Sequence, residues 1–184
     1  MAATAQKELS VDEFLAWSAG RGLRFELHDG QPVSMSPERV THTVTKGAAY
    51  FALRRAIERA GAPCRALTEG ATVRVDARTA YVPDALVHCG PPPPPAAVEI
   101  SDPLIVVEVL SPSTAVIDHG AKLRGYFSVP GLEHYLILDA DDRMLIHHKR
   151  GQGALIETRI YADGVLRLDP PGIELAVAEM FAPP

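Results

Sequence analysis

No apolar run in the chain approaches the roughly 20 residues needed to cross a bilayer, which excludes a helical membrane span. The first ten residues, MAATAQKELS, lack the basic start and apolar stretch of a secretory signal, so a cytoplasmic protein is expected. Cysteine is scarce. Cys64 and Cys89 show no metal-ligand spacing, and two cysteines in 184 residues imply no disulfide framework. Positive charge is also short: 18 Lys and Arg stand against 23 Asp and Glu, for a net charge of −5. That balance argues against nonspecific adhesion to nucleic acid over the whole surface, while leaving room for a local basic groove or for acids that take metal ions. A Gly-rich phosphate loop, a zinc-type cluster and a Ser-His-Asp pattern are all missing.

What remains is ordinary for a folded chain, with 47% hydrophobic and 22% charged residues. The length fits one domain with a proper core, spanning 1–184 with a short N-terminal tail over 1–9. SVDEFLAWSA opens with Ser10 and, three residues later, Glu13, the pattern of a capped helix. LRFELHDGQPVSMSP places Asp29-Gly30 between two strand-like runs and predicts a hairpin. A helix is expected from Thr41 to about Ala60, with Ala49, Leu53, Ala56, Ile57 and Ala60 on one side, stopped by Gly61 and Pro63. Strands follow near Cys64–Thr68, Ala71–Val75, Val82–His88 and Leu104–Leu110, then a helix from about Thr114 to Ser128. The remainder reads as consecutive strands closed by a short helix, and Pro91–Pro95 as a stiff surface loop. The fold class expected is α+β, a mixed sheet flanked by helices.

One residue interrupts this pattern. LIVVEVLSPST is a buried strand by composition, yet Glu108 stands among Leu104, Ile105, Val106, Val107, Val109 and Leu110. A carboxylate there needs a partner, a metal ion or a proton, so it belongs to a structural ion pair or to a site. Strand alternation puts Asp84 on the face of Leu86 in YVPDALVH, and Glu108 on the face of Val106. If the proline loop joins neighbouring strands, the two acids meet, and they repel unless one is protonated or a cation lies between them. Magnesium and similar hard cations prefer such oxygen ligands. On the next helix, Asp118, Lys122 and Tyr126 are spaced i, i+4, i+8 along one face, either a solvated ion pair beside an aromatic or part of the same site.

Together, VPDALV, LIVVEVLSPST, DHGAKLRGYFSVPGLEHYLILD and FELHDGQPVSMSPERVTH resemble the Uma-type endonuclease family of the PD-(D/E)XK, or restriction-endonuclease-like, superfamily. The resemblance runs from about Phe14 to Met180. It implies a restriction-endonuclease-like core and metal-dependent hydrolysis of phosphodiester bonds in nucleic acid, DNA before RNA. Asp84 and Glu108 would be catalytic and would ligate Mg or Mn, and the ion would polarise the phosphate and lower the pKa of the attacking water. The superfamily places a lysine two residues after the second acid, where this chain has Leu110; the Uma-type pattern moves it to the following helix, at Lys122.

Supporting roles fall to Glu26, His42, Asp118 and Tyr126. Glu26 either approaches the metal or pairs within the hairpin; His42 either contacts the site or packs at the start of its helix. Asp118 and Tyr126 would position Lys122. Ser111, Ser113 and Thr114 read as helix caps, and His147–Arg150 as a basic edge, solvated or in contact with nucleic acid. A homodimer is the working expectation, since many nucleases of this class cut two strands with paired sites. Two alternatives stay open: a catalytically silent nucleic-acid-binding or assembly module on the same fold, and a metal-dependent hydrolase of a small phosphorylated molecule.

Overall fold

Ser10 and Glu13 form the reciprocal cap read from the sequence: Ser10 Oγ accepts the Glu13 amide at 3.2 Å, and Glu13 Oε2 accepts the Ser10 amide at 2.9 Å. Helix α1 (Val11–Ser18) follows and buries Val11 and Phe14 against Leu27 and Ala80. The computed structural model describes residues 8–110 and 119–181. Strands β1 (Phe25–His28) and β2 (Gln31–Ser34) make the expected hairpin, with His28 opposite Gln31. Asp29 and Gly30 both take positive φ, 46° and 80°, the two-residue turn that matches strand twist. A Cβ on Gly30 would stand 2.9 Å from the Glu8 Cβ, so the position needs glycine for space as well as for φ.

Helix α2 (Val40–Ala60) buries Ala49, Ala52, Leu53, Ala56 and Ile57, while Ala60 turns outward. Gly61 ends it in the left-handed conformation, its N–H donating to the Glu58 and Ile57 carbonyls. Next come β3 (Cys64–Thr68), β4 (Val73–Arg74), β5 (Ala80–Tyr81), β6 (Ala85–Cys89), β7 (Pro103–Val109) and α3 (His119–Ser128). The chain continues through β8 (His134–Asp139), β9 (Met144–Arg150), β10 (Ile156–Tyr161), β11 (Val165–Leu168), β12 (Ile173–Ala176) and a 3-10 turn, Val177–Met180.

A six-stranded sheet, ordered β10-β9-β8-β7-β6-β3, forms the centre. Within it β7 and β8 run parallel, and α3 lies in the crossover such a pair requires. A second sheet, β2-β1-β5-β4, and a ribbon, β11-β12, complete the α+β architecture. Alternation along β7 divides the core. Ile105, Val107 and Val109 pack with α2 and the β11-β12 ribbon, whereas Val106 packs with Leu86, Tyr126, Tyr135 and Ile137 on the α3 side. No helix among the described residues is long and apolar enough to cross a membrane.

Two expectations change. The strand expected from Val82 to His88 begins only at Ala85: β6 belongs to the central sheet, and Val82–Asp84 cross to it from β5 of the smaller one. Pro83, which has no N–H to give a ladder, lies in the crossing with Val82 and Asp84. Asp84 is therefore at the seam of two sheets. The cysteines also differ, because Cys64 and Cys89 face each other across β3 and β6 and form a disulfide. Their 25-residue separation carries no such information; only the antiparallel register brings them together. Pro91–Pro95 forms a loop between β6 and β7, as expected.

Candidate active site

At the seam, β6 and β7 are antiparallel with Ala85 opposite Val107, and the Asp84 amide donates to the Val107 carbonyl at 3.0 Å. This register sets Asp84, just before β6, across from Glu108 on β7. Their carboxylates nevertheless take partners from different helices. Glu108 lies on the α3 side, where its Oε1 accepts from Lys122 Nζ at 3.0 Å and from Tyr126 Oη at 2.6 Å. Lys122 and Tyr126 reach it together because they are one turn apart on α3. Lys122 Nζ also donates to Glu26 Oε1 at 3.0 Å. Glu26 is buried, and its remaining acceptors are engaged: Val82 N–H at 3.0 Å on Oε1 and His28 Nε2 at 2.9 Å on Oε2.

Asp84 faces α2 instead. Its Oδ1 lies 2.8 Å from Lys46 Nζ, its Oδ2 accepts the Val109 amide at 2.7 Å, and His42 Nε2 stands 3.4 Å from Oδ2. Lys46 Nζ further donates to Glu38 Oε1 and Oε2 at 2.9 and 3.0 Å and contacts Glu69. Arg24 pairs with the same Glu69. The site is thus two lysine-centred clusters, Glu26–Lys122–Glu108 and Glu38–Lys46–Asp84, meeting where β6 and β7 pair.

The electrostatics follow. Burial pushes the Glu108 carboxyl up to about 7; Lys122 opposes that rise, while the charges of Asp84 and Glu26 add to it. For Glu26 burial works against ionisation, but His28, Lys122 and the Val82 N–H outweigh it and hold the group below its ordinary value. Asp84 is likewise lowered: burial opposes, and His42, Lys46 and the Val109 N–H prevail. Lys122 stays charged despite burial, because Glu108 and Glu26 raise its pKa well above the usual value. Glu108 is the one acid of the three whose proton affinity rises.

Of the residues singled out from the sequence, Glu26, Glu108, Lys122 and Tyr126 gather in one cluster, and Asp84 and His42 in the other. Asp118, with Ser111, Ser113 and Thr114, lies outside the described residues. Sequence reasoning missed Lys46, Glu38 and Glu69. A signal existed: His42 and Lys46 continue the buried stripe of α2 that Ala49 and Leu53 define, where polar residues are out of place. The basic run His147–Arg150 is not one patch. His147 is buried, and Arg150 donates to the Leu132, Phe127 and Val129 carbonyls.

A mixed sheet flanked by helices, with an acid–lysine cluster at its seam, is the α+β arrangement that the sequence resemblance implies. The chain belongs to the Uma2 family, described as "Putative restriction endonuclease", which it matches over residues 11–178. It is similar to an uncharacterized Synechocystis protein, slr1290, at 28% identity over 176 residues, covering 95% of this chain and 92% of that one. Its fold matches the crystal structure of a nuclease from Anabaena variabilis, described as putative and as belonging to DUF820, with a TM-score of 0.74. That likeness covers 94% of this chain and 97% of the other at 16% identity, so it speaks to the fold alone.

Proposed function

We propose that the protein is a metal-dependent endonuclease that hydrolyses phosphodiester bonds of nucleic acid, with DNA as the first substrate to test. The observation that carries this reading is the half-buried Lys122 bridge between Glu26 and Glu108, with Asp84 across from Glu108 just before β6. The donor set fits a divalent cation. Asp84 and Glu108 are hard oxygen ligands, and Glu108, raised to about 7 chiefly by burial with the charges of Asp84 and Glu26 adding to it, is an acid whose ionised form a nearby cation would favour.

Asp84 and Glu108 would hold Mg or Mn, which supplies Lewis acidity toward a phosphate oxygen and a water of lowered pKa. The chain's own groups do the rest. Lys122 keeps a full positive charge at a fixed point, ready to offset charge developing on the phosphate. Glu26 fixes that ammonium from one side, and His28 and the Val82 N–H fix Glu26 in turn. Tyr126 Oη orients Glu108 from below, on the same helix as the lysine. We assign the working protein to the cytoplasm, and to a homodimer when both strands of a duplex are cut.

The test is a cleavage screen over single- and double-stranded DNA and RNA with magnesium, manganese and EDTA. Metal-dependent cleavage that Asp84→Asn and Glu108→Gln abolish supports the proposal; cleavage that persists in both variants overturns it. Divalent ions should also raise the melting temperature of the wild type, and not of either variant.

A further inference from the structure

Strand β10 forms one edge of the central sheet, and among the described residues only β9 pairs with it. The Gly151 N–H bonds the Leu155 carbonyl at 2.9 Å, while the Arg150 N–H turns away to the Glu133 carbonyl, also at 2.9 Å. Alternation from there directs the backbone groups of Glu157, Arg159 and Tyr161 to β9, and those of Ile156, Thr158 and Ile160 outward. Such an edge is commonly blunted by proline, lysine or a bulge, and Ile156–Tyr161 carries none of these. Its two charges are of opposite sign, Ile160 is 64% exposed, and Leu155 just before the strand is 56% exposed.

We infer that β10 pairs with β10 of a second copy of the chain, antiparallel about a two-fold axis through Thr158, so that two central sheets become one. This names a surface for the homodimer assigned above, but it rests on the edge strand and not on cleavage. The stretch IETRI is a palindrome in chemistry: apolar, acid, threonine, base, apolar. About that axis Ile156 faces Ile160 of the second copy, Glu157 faces Arg159 and Thr158 faces itself, the self-complementarity that a two-fold interface requires. The outward backbone groups of Ile156, Thr158 and Ile160 then exchange hydrogen bonds with their counterparts, and Glu157 and Arg159 fall in the narrow pair between, where side chains approach most closely. Within one copy these two meet along the strand at only 3.4 Å, both exposed. Moving the axis to Glu157 or to Arg159 would oppose like charges across it. Ile146, opposite Ile160 on β9, packs with the α3-side core, so Ile156 and Ile160 share that face. A groove lined by Phe127, Ser128, Leu155 and Ile156 borders the edge there, and the second copy's Ile160 is set beside it.

The test is sedimentation velocity of the full chain across a range of concentrations, where the wild type should form a dimer that dissociates on dilution. Glu157→Arg and Arg159→Glu each put like charges opposite one another twice across the axis, so each should weaken the dimer about tenfold or more. Mixing those two variants restores opposite charges at both places and should return a heterodimer of near wild-type affinity, a recovery that a merely structural role would not give. Thr158→Pro removes an N–H that only the second copy uses and should leave a folded monomer; Ile160→Lys serves where the proline variant fails to fold. In the wild-type dimer the Thr158 amide should exchange slowly with solvent, and rapidly once the protein is diluted to monomer. A wild type that stays monomeric, or that grows into open-ended assemblies, overturns the proposal. So does a dimer that keeps its affinity in both charge variants, or one that they weaken without recovery on mixing. Cleavage enters none of these readings, so their failure leaves the nuclease proposal standing.

Discussion

Lys122 Nζ lies 3.0 Å from Glu108 Oε1, although the two stand 14 residues apart on a helix and a strand. The same ammonium is 3.0 Å from Glu26. If it offsets charge in the transition state, Lys122→Ala should lower turnover by roughly 10²–10⁴-fold. Metal affinity should change far less, since lysine is no ligand. Lys122→Arg keeps the charge but not its compact geometry and should recover part of the rate. Single-turnover cleavage with manganese reads all three; wild-type rates in Lys122→Ala would remove this residue from the mechanism.

The Glu108 carboxyl makes a prediction about stability. Its folded pKa of about 7 lies above the ordinary 4.5, so the native state holds the proton more tightly than the unfolded chain. That stabilisation is complete below pH 4.5 and is lost as the pH rises to about 7. In EDTA, Glu108→Gln should flatten the wild-type decline across that window and melt higher than wild type at pH 8. An unaltered pH profile in the variant would show that another group carries the effect.

A buried imidazole pair acts in the opposite sense. His134 Nδ1 and His147 Nε2 are 2.9 Å apart, and His134 Nε2 bonds the Pro170 carbonyl. Burial, aided for His147 by neighbouring positive groups, depresses the two to about 4 and about 3. Below pH 6.5 the unfolded chain takes up protons that the folded pair refuses, so stability falls from there toward about pH 4. Because Glu108 runs the other way over part of this range, the comparison must be between variants. His147→Leu should reduce the acid loss measured by urea unfolding between pH 6.5 and 4; an identical loss would place it elsewhere.

Much of this was legible. Glu108 announced itself by interrupting an apolar strand, and i, i+4 spacing put Lys122 and Tyr126 on one face, where both reach that carboxylate. Asp-Gly and the Ser10–Glu13 cap were local patterns that local geometry honoured. What escaped depends on register and on distant segments. Lys46 draws Glu38 from a loop and Glu69 from the end of β3, and no spacing links them. The Cys64–Cys89 bond needs the β3–β6 register. Asp84 was assigned by alternation, but it precedes the regular part of β6, so its side chain follows the seam and pairs with α2.

Glycine sets how closely α3 approaches the site. A Cβ on Gly125 would stand 2.8 Å from Tyr81 Cε2 and 3.1 Å from its Oη. Tyr81 is buried and packs edge-on to Tyr126, with Lys122 Nζ 5.4 Å from its ring centre. Gly125→Ala must therefore shift the helix or the ring. The expected cost is about 1–3 kcal/mol of stability from overpacking, together with a loss of cleavage larger than the unfolded fraction explains. Wild-type activity and melting temperature in Gly125→Ala would mean that Tyr81 moves freely.

The absent lysine at Leu110 permits a direct transplant. Leu110 directly follows β7, its amide bonded to the Leu138 carbonyl at 2.8 Å, and its side chain packs with the cluster that holds Val106 and Tyr126. Position 110 therefore shares the face of Glu108, two residues on. In Lys122→Ala with Leu110→Lys, the new ammonium approaches Glu108 from the strand and finds Glu26 left without its cation. Partial return of cleavage, about tenfold or more above Lys122→Ala alone, would show one functional position reached from two backbone sites. Burying a lysine among apolar neighbours is costly, so Leu110→Met with Lys122→Ala is the control for packing without charge. If the two doubles fold equally well and cleave equally poorly, charge beside Glu108 is insufficient, and the direction of approach from α3 is what the reaction requires.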